Sequence, residues 1–483
     1  MADTGLREKT VSGMFWMGVG KFGTLTLNFL SNLVLARLLM PSDYGEIGML
    51  HVFIAISGVF VSAGFGSALI QKKNPTHLDY TSVFYWNLVA ALVFYGILFF
   101  CGPAIAAFYK IPQLCRILRV QSLGMIVGAF SHVQSNQLQK QLRFRELSIR
   151  NIVATIIGTI VSITLALMGY GVWSLVFGNL VSSIAAVLLL WWMSTWRPTW
   201  EFSWQSLREL FSFGGLMALS SLVETIYYNL QSLIIGKWFS AKDLGYYTQA
   251  RKLEGIPTSA LSQIVGTVSF PVFSSLQDDK DRLRGAVRNN IKAVTYLNFP
   301  LMVLLMIIAR PLITLLYGTK WEPATPYFQI LCIYGMVYTL NTLNTNVIKS
   351  LGRSGVFFTI QLIKRLTGIV LIVLGMRFGI YGLLWAVVIN AYLAVLINVF
   401  VNKRLIGYGL VEQVGDVGGY FLLSVILGAA VFFLVPRIPV HTYLQMLIEI
   451  VLYAGLFLLF SRWLKLDGYA TYVAIIKKRL NKS

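Results

Sequence analysis

The feature that most constrains this chain is the recurrence of uncharged apolar runs of about 20 residues from one end to the other. A helix crossing a bilayer needs about 20 mostly apolar residues, because hydrocarbon leaves every backbone N–H and C=O to be paired inside the segment. Residues 80–109 hold one such run, 151–196 hold two broken at Gly169-Tyr170-Gly171, and 378–402 and 417–435 are equally clean. The pattern predicts spans at 11–39, 45–70, 81–103, 117–137, 148–168, 172–194, 210–236, 246–275, 289–309, 323–348, 356–376, 380–402, 417–435 and 441–463. The expected fold class is thus an all-α polytopic membrane protein of about fourteen transmembrane helices. Composition agrees: the chain is 57% hydrophobic and 12% charged, about half the charged share of an ordinary soluble domain.

A net charge of +21 would also suit a nucleic-acid binder. Such proteins gather Lys and Arg on one face or in a tail. Here the basic residues fall between the apolar runs, as in the inner loops of membrane proteins, so no nucleic-acid partner is expected. With the N-terminus inside, 25 Lys and Arg fall on the inner side, 10 on the outer side and 5 within spans. That bias predicts both termini in the cytoplasm. The first span is too long for a signal-peptide core and reads as a retained helix.

Chemistry-bearing motifs are sparse. Cys101, Cys115 and Cys332 show no paired spacing, so neither a disulfide framework nor a zinc motif is expected, and no cofactor. No GxxxxGK[ST] loop is present. His51, His77, His132 and His441 lie far apart, and no long loop rich in carboxylates is available, so an enzyme is not expected. The most polar connection is 277–288, on the inner side. The linker 196–209 carries Trp196, Trp200 and Trp204 and is expected to lie along the inner membrane surface.

The sequence also resembles itself. LVLARLLMPSDYGEIGM from Leu33 aligns with LIIGKWFSAKDLGYYTQ from Leu233 at an offset of 200, pairing Arg37 with Lys237, Asp43 with Asp243 and Gly45 with Gly245. At an offset of 208, Pro103–Tyr109 pairs with Pro311–Tyr317, and Met168, Gly171 and Trp173 pair with Met376, Gly379 and Tyr381. Three ordered matches at nearly one offset argue for duplication. The predicted organisation is an N-terminal lobe, 1–200, a C-terminal lobe, 201–410, and an appendage with a basic tail, 411–483. Each lobe holds six spans, an even number, so the repeats are parallel, and transporters of that kind place substrate where the repeats meet. In the repeated motif a cation closes one helix, an Asp caps the next, and a Gly permits close approach.

ARLLMPSDYGEIGML in the first hairpin and YYTQARKLEGIP at 246–257 resemble signatures of the polysaccharide flippases, within the multidrug/oligosaccharidyl-lipid/polysaccharide exporter superfamily. The resemblance covers essentially the whole chain. It implies a V-shaped pair of lobes like those of the multidrug exporters, with spans 1, 2, 7 and 8 lining a cavity. It implies movement of undecaprenyl-diphosphate-linked oligosaccharide from the inner to the outer leaflet of the bacterial plasma membrane by alternating access. Spans 13 and 14 help form a lipid-tail groove in related peptidoglycan-precursor flippases. Expected partners are the polyprenyl-diphosphate oligosaccharide and membrane lipid, with a polysaccharide polymerase and a chain-length regulator as further candidates.

Charged groups inside a bilayer are costly and usually face a cavity. Lys21 lies about ten residues into span 1, ~15 Å deep at 1.5 Å per residue. His51, Glu224 and Arg251 belong to spans 2, 7 and 8, and Lys364 and Arg365 to span 11. On the resemblance, Lys21, Arg251, Lys364 and Arg365 are candidate diphosphate ligands. His51, Glu224, Glu254, Asn28, Asn32, Tyr228 and Asn229 are candidate polar or coupling groups. Structural readings stand beside these: Lys21 can pair with Glu224, Arg251 with Glu254, and His51 can be a packed histidine. A cation-coupled drug exporter of the same superfamily is the alternative function. One clear mid-membrane carboxylate, Glu224, against several cations favours an anionic substrate.

Overall fold

The computed structural model describes residues 2–480 apart from 438 and 440, and among them every regular element is a helix. Two compact units emerge, Met1–Gly245 and Tyr246–Ser483. The first holds α1 (Ala2–Leu38), α2 (Pro41–Ser62), α3 (Phe65–Gln71), α4 (His77–Tyr109), α5 (Leu114–Gln121), α6 (Leu123–Lys140), α7 (Phe144–Leu167), α8 (Val172–Met193) and α9 (Trp204–Trp238). Helix α10 (Ala241–Ser275) begins in the first unit and continues into the second. The second unit also holds α11 (Lys280–Ile307), α12 (Ala309–Tyr317), α13 (Thr325–Ser350), α14 (Ser354–Gly375), α15 (Gly379–Ile406), α16 (Leu410–Leu434), α17 (Thr442–Trp463) and α18 (Asp467–Leu480).

Eleven segments are long and apolar enough to cross a membrane, and one of them, Ser354–Ile406, carries both α14 and α15. Helices α1 and α13 are long enough but fall outside the eleven, because Asn, Thr, Ser and Gly dilute their apolar content. The chain is a multi-pass membrane protein.

Several boundaries differ from expectation. The predicted polar connection 277–288 shrinks to Gln277–Asp279, since α11 starts at Lys280 under an Asp279 cap whose Oδ1 accepts the Arg282 N–H at 3.0 Å. The charges of 280–292 therefore ride on helix rather than loop. Helix α1 begins at Ala2, so the polar N-terminal stretch is helical too. Residues 45–70 do not form one helix: Ala63 and Gly64 are both left-handed, at φ 42° and 72°, and separate α2 from α3. Of the basic tail, residues 481–483 lie outside the described residues.

Unit 1 is held by seams of small residues, which let backbones approach closely where lipid removes the hydrophobic drive. Helices α7 and α8 meet along Ala154, Gly158, Ser162, Gly178 and Ser182. A Cβ on Gly158 would lie 2.5 Å from Ser182 Cβ, and one on Gly178 only 1.6 Å from Ser162 Oγ. Helix α1 packs on α7 in the same way, with Gly20 against Ser148, whose hydroxyl donates to Trp16 O at 2.7 Å. The repeated hairpin motif follows its turn chemistry. Asp43 Oδ2 accepts the Met40 N–H at 2.8 Å, while the Asp243 N–H donates to Ser240 Oγ at 3.0 Å. The two motifs also face each other: a Cβ on Gly45 would fall 1.7 Å from Ala241 O, and one on Gly245 1.9 Å from Pro41 O.

Candidate functional site

In unit 1 the structure brings His51 and Asn229 together. His51 Nδ1 lies 3.3 Å from Asn229 Oδ1, joining α2 to α9. Asn229 is buried and its Nδ2 donates to Thr225 O at 2.8 Å, so its oxygen is left to accept from a ring bearing hydrogen on Nδ1. Lys21, Asn28, Glu224 and Tyr228 are exposed on their helices and Asn32 is half-buried. Among the described residues no ion pair joins Lys21 to Glu224.

In unit 2, Arg251 is half-buried with its guanidinium 5.2 Å from the Tyr334 ring centroid, a cation–π arrangement across α10 and α13. Glu254, one turn on, is buried and accepts from Thr258 Oγ1 at 2.6 Å. Gly335 makes room for it: a Cβ there would stand 2.6 Å from Glu254 Oε1. Asn298 on α11 donates to the carbonyls of Gly335 and Met336 at 3.1 and 2.9 Å, fixing that stretch of α13.

Lys364 is 6% exposed and spends its N–H groups inside the unit, on Asn398 Oδ1 at 2.7 Å and Asn341 Oδ1 at 3.2 Å. Asn398 Nδ2 in turn donates to Asn341 Oδ1 and Thr345 Oγ1 at 2.8 and 3.0 Å. Beside this cluster Asn402, Asn344 and Gln413 form a second buried amide chain across α15, α13 and α16. Arg365 is half-buried. These amides were not singled out from sequence. The available signal was Asn at helical spacing, 341 with 344 and 398 with 402, inside otherwise apolar runs.

Ionic clusters fix helix ends elsewhere. Lys140 Nζ donates to Leu69 O and Ile70 O at 3.0 and 3.1 Å and also to Lys72 O, closing the C-terminal end of α3. Lys72 in the α3–α4 turn pairs with Asp79 at 2.9 Å and Glu209 at 3.4 Å, and the Asp79 hydrogen bond holds its ammonium above the ordinary lysine range. In unit 2, Asp416 receives Arg288, Lys292 and the Tyr408 hydroxyl, while Arg284 pairs with Glu412. Burial, with the Asp416 carboxylate beside it, pushes the Tyr408 phenol up. Lys292 also reaches Asp467 at 2.6 Å, and Tyr472 donates to Ala293 O at 3.1 Å, so α18 is docked on α11.

A groove of about 1190 Å³ runs between α14, α15 and the start of α16. Ile360, Ile363, Leu396 and Phe400 give it apolar walls, and Lys403 and Glu412 stand at its rim.

A family model described as "Polysaccharide biosynthesis protein" matches residues 34–326. The chain is 26% identical over 372 residues to "Lipopolysaccharide biosynthesis protein WzxC" of Escherichia coli strain K12, covering 77% of this chain and 76% of that one. It is 26% identical over 389 residues to "Succinoglycan biosynthesis transport protein ExoT" of Rhizobium meliloti, covering 80% and 79%. Among solved structures, "Lipid II flippase MurJ, inward closed conformation" matches at a TM-score of 0.74 and 17% identity, over 93% of this chain and 99% of that one. At that identity the likeness establishes the fold.

Proposed function

Because the chain belongs to the polysaccharide biosynthesis protein family, we propose that it is a flippase for undecaprenyl-diphosphate-linked oligosaccharide, carrying it from the cytoplasmic to the outer leaflet of the bacterial plasma membrane. It is a transporter rather than an enzyme. One observation carries the reading: two relatives, each matched over more than three-quarters of both chains, are named for different products, a lipopolysaccharide and succinoglycan. Two such different glycan names fit a cargo recognised by a common part, which on the family resemblance is the lipid diphosphate.

On this reading the eleven apolar segments make twelve membrane crossings, Ser354–Ile406 counting twice, and α1 and α13 bring the total to fourteen. Spans 1–6 and 7–12 form the parallel repeats, divided near residues 200 and 410, and both termini are cytoplasmic. Lys21 and Arg251 attract the diphosphate, Arg through its planar fork and Lys as a point charge. Asn28, Asn32, Tyr228 and Asn229 contact sugar, while His51, Glu224 and Glu254 serve coupling. The lobes alternate in access, and the polyprenyl tail stays in lipid or in the groove beside α14 and α15.

The test is a strain lacking its own flippase and expressing this chain. Surface polysaccharide is restored by the wild type and lost with Arg251→Ala at equal membrane abundance, while lipid-linked oligosaccharide accumulates on the inner leaflet. Normal display by Arg251→Ala would remove that residue from the site. Failure of the wild type, with its cognate glycan supplied, would sink the assignment.

A further inference from the structure

Residues 323–411, which include the whole of α13, α14 and α15, contain seven Lys and Arg and no Asp or Glu. Lys364 is the one of the seven that is buried, near the middle of α14. An isolated charge in a membrane-spanning bundle is costly and marks an ion or proton path by default. Here the three helices supply no countercharge at all. The other Lys and Arg along them are Lys349, Arg353, Arg365, Arg377, Lys403 and Arg404, and the other titratable groups are Tyr327, Cys332, Tyr334, Tyr338, Tyr381 and Tyr392, none of them a carboxylate. No ion pair to Lys364 exists among the described residues, and its hydrogen-bond partners are Asn341 and Asn398.

The count of partners is informative. An ammonium carries three N–H donors, and a neutral amine carries two plus a lone pair. Two acceptors face Nζ, both amide oxygens, which cannot themselves titrate. Asn398 is braced by its own donation to Asn341 and Thr345, so the pocket keeps its form whether or not the third hydrogen is present. A fixed structural cation would call for a carboxylate, and an anion-binding lysine would present its N–H groups outward. Lys364 does neither.

We propose that Lys364 is a proton-exchange site: its Nζ releases one proton to water in one stage of the transport cycle and regains one from water in another, with Asn341 and Asn398 holding the side chain in both states. The step is acid–base only, R–NH3+ giving R–NH2 and H+, and needs no redox partner. The link to transport rests on the flippase reading; the amine chemistry does not.

Two measurements test it. The purified chain, labelled at the lysine side-chain carbons and nitrogen, is titrated by nuclear magnetic resonance, and the Lys364 signal is identified by its absence in Lys364→Arg. It is expected to move with pH across the neutral range where surface lysines stay protonated. A signal that does not move there overturns the proposal. In the flippase-deficient strain, Lys364→Arg, fixed in charge, and Lys364→Gln, fixed as a neutral donor, both lose surface polysaccharide while matching wild-type abundance and melting temperature. Transport retained by Lys364→Arg would make the residue a fixed cation, and transport retained by Lys364→Gln a hydrogen-bonding strut; either refutes proton exchange. Loss in Arg251→Ala with retention in both Lys364 variants would leave the flippase reading standing and this one refuted.

Discussion

Arg288 grips Asp416 through three hydrogen bonds of 2.6–2.9 Å, although 128 positions separate the two residues. The carboxylate is nearly buried while the guanidinium is half-exposed, so the pair anchors α16 to α11 from the solvent side. Asp416→Asn keeps the shape but not the charge. It is expected to destabilise the protein in detergent by about 1.5–3 kcal/mol, the range for hydrogen bonds to charged groups. Asp467→Asn, whose side chain is 68% exposed, is expected to cost less than ~1 kcal/mol. Its mark should be faster tryptic cleavage within α18, read by gel against wild type.

The hairpin glycines make a sharper test. A methyl group on Gly45 meets a backbone carbonyl, which cannot swing aside as a side chain can. Gly45→Ala and Gly245→Ala are each expected to destabilise by about 1–3 kcal/mol or more, through overpacking. Gly96→Ala, in open space on α4, should instead be neutral or stabilising by up to ~1 kcal/mol from helix propensity. Thermal melts of the three variants decide it, and equal melting temperatures would count against the close approach.

His51 and Asn229 should behave as a coupled pair. In a double-mutant cycle with His51→Ala and Asn229→Ala, unfolding free energies are expected to be non-additive by about 0.5–1.5 kcal/mol, the worth of one hydrogen bond. Additivity would mean that the 3.3 Å contact carries no energy.

Lys72 supplies a pH dependence. Its folded-state value is raised by Asp79, so the stabilisation is fully present below the unfolded lysine value and fades as pH climbs through the folded one. Lys72→Met is expected to cost about 1 kcal/mol at neutral pH. The gap from wild type should hold to pH ~10.4 and close above it, in melts run from neutral to alkaline buffer.

What the sequence disclosed was mostly local. Asp43, Gly45, Asp243 and Gly245 were readable because turn and cap chemistry acts over three or four residues, and the offset of 200 repeated it. Apolar runs were readable because lipid imposes length and composition on each helix separately. Helix ends were less so: Asp279 pulls charged residues into α11 that looked like loop, and Ala63-Gly64 interrupts the helix within what remains one apolar span, Pro41–Gln71. The surroundings of Lys364 were not legible, because Asn341 and Asn398 come from other helices 23 and 34 positions away. Nor was Asp416, whose partners Arg288 and Lys292 carried only the signature of an inner loop.

The facing hairpins also bear on how such a chain can change over time. Gly45 is confined by the other hairpin at Ala241, and Gly245 by the first at Pro41, so each site is policed by the partner of its counterpart. Drift at one glycine cannot be tolerated by relaxing its own turn; the opposite turn would have to retreat in step. Pro41-Ser42 in one hairpin stands where Ala241-Lys242 stands in the other, while Asp and Gly are the same in both. Two stretches 200 residues apart are therefore under one joint constraint, and they should vary together or not at all.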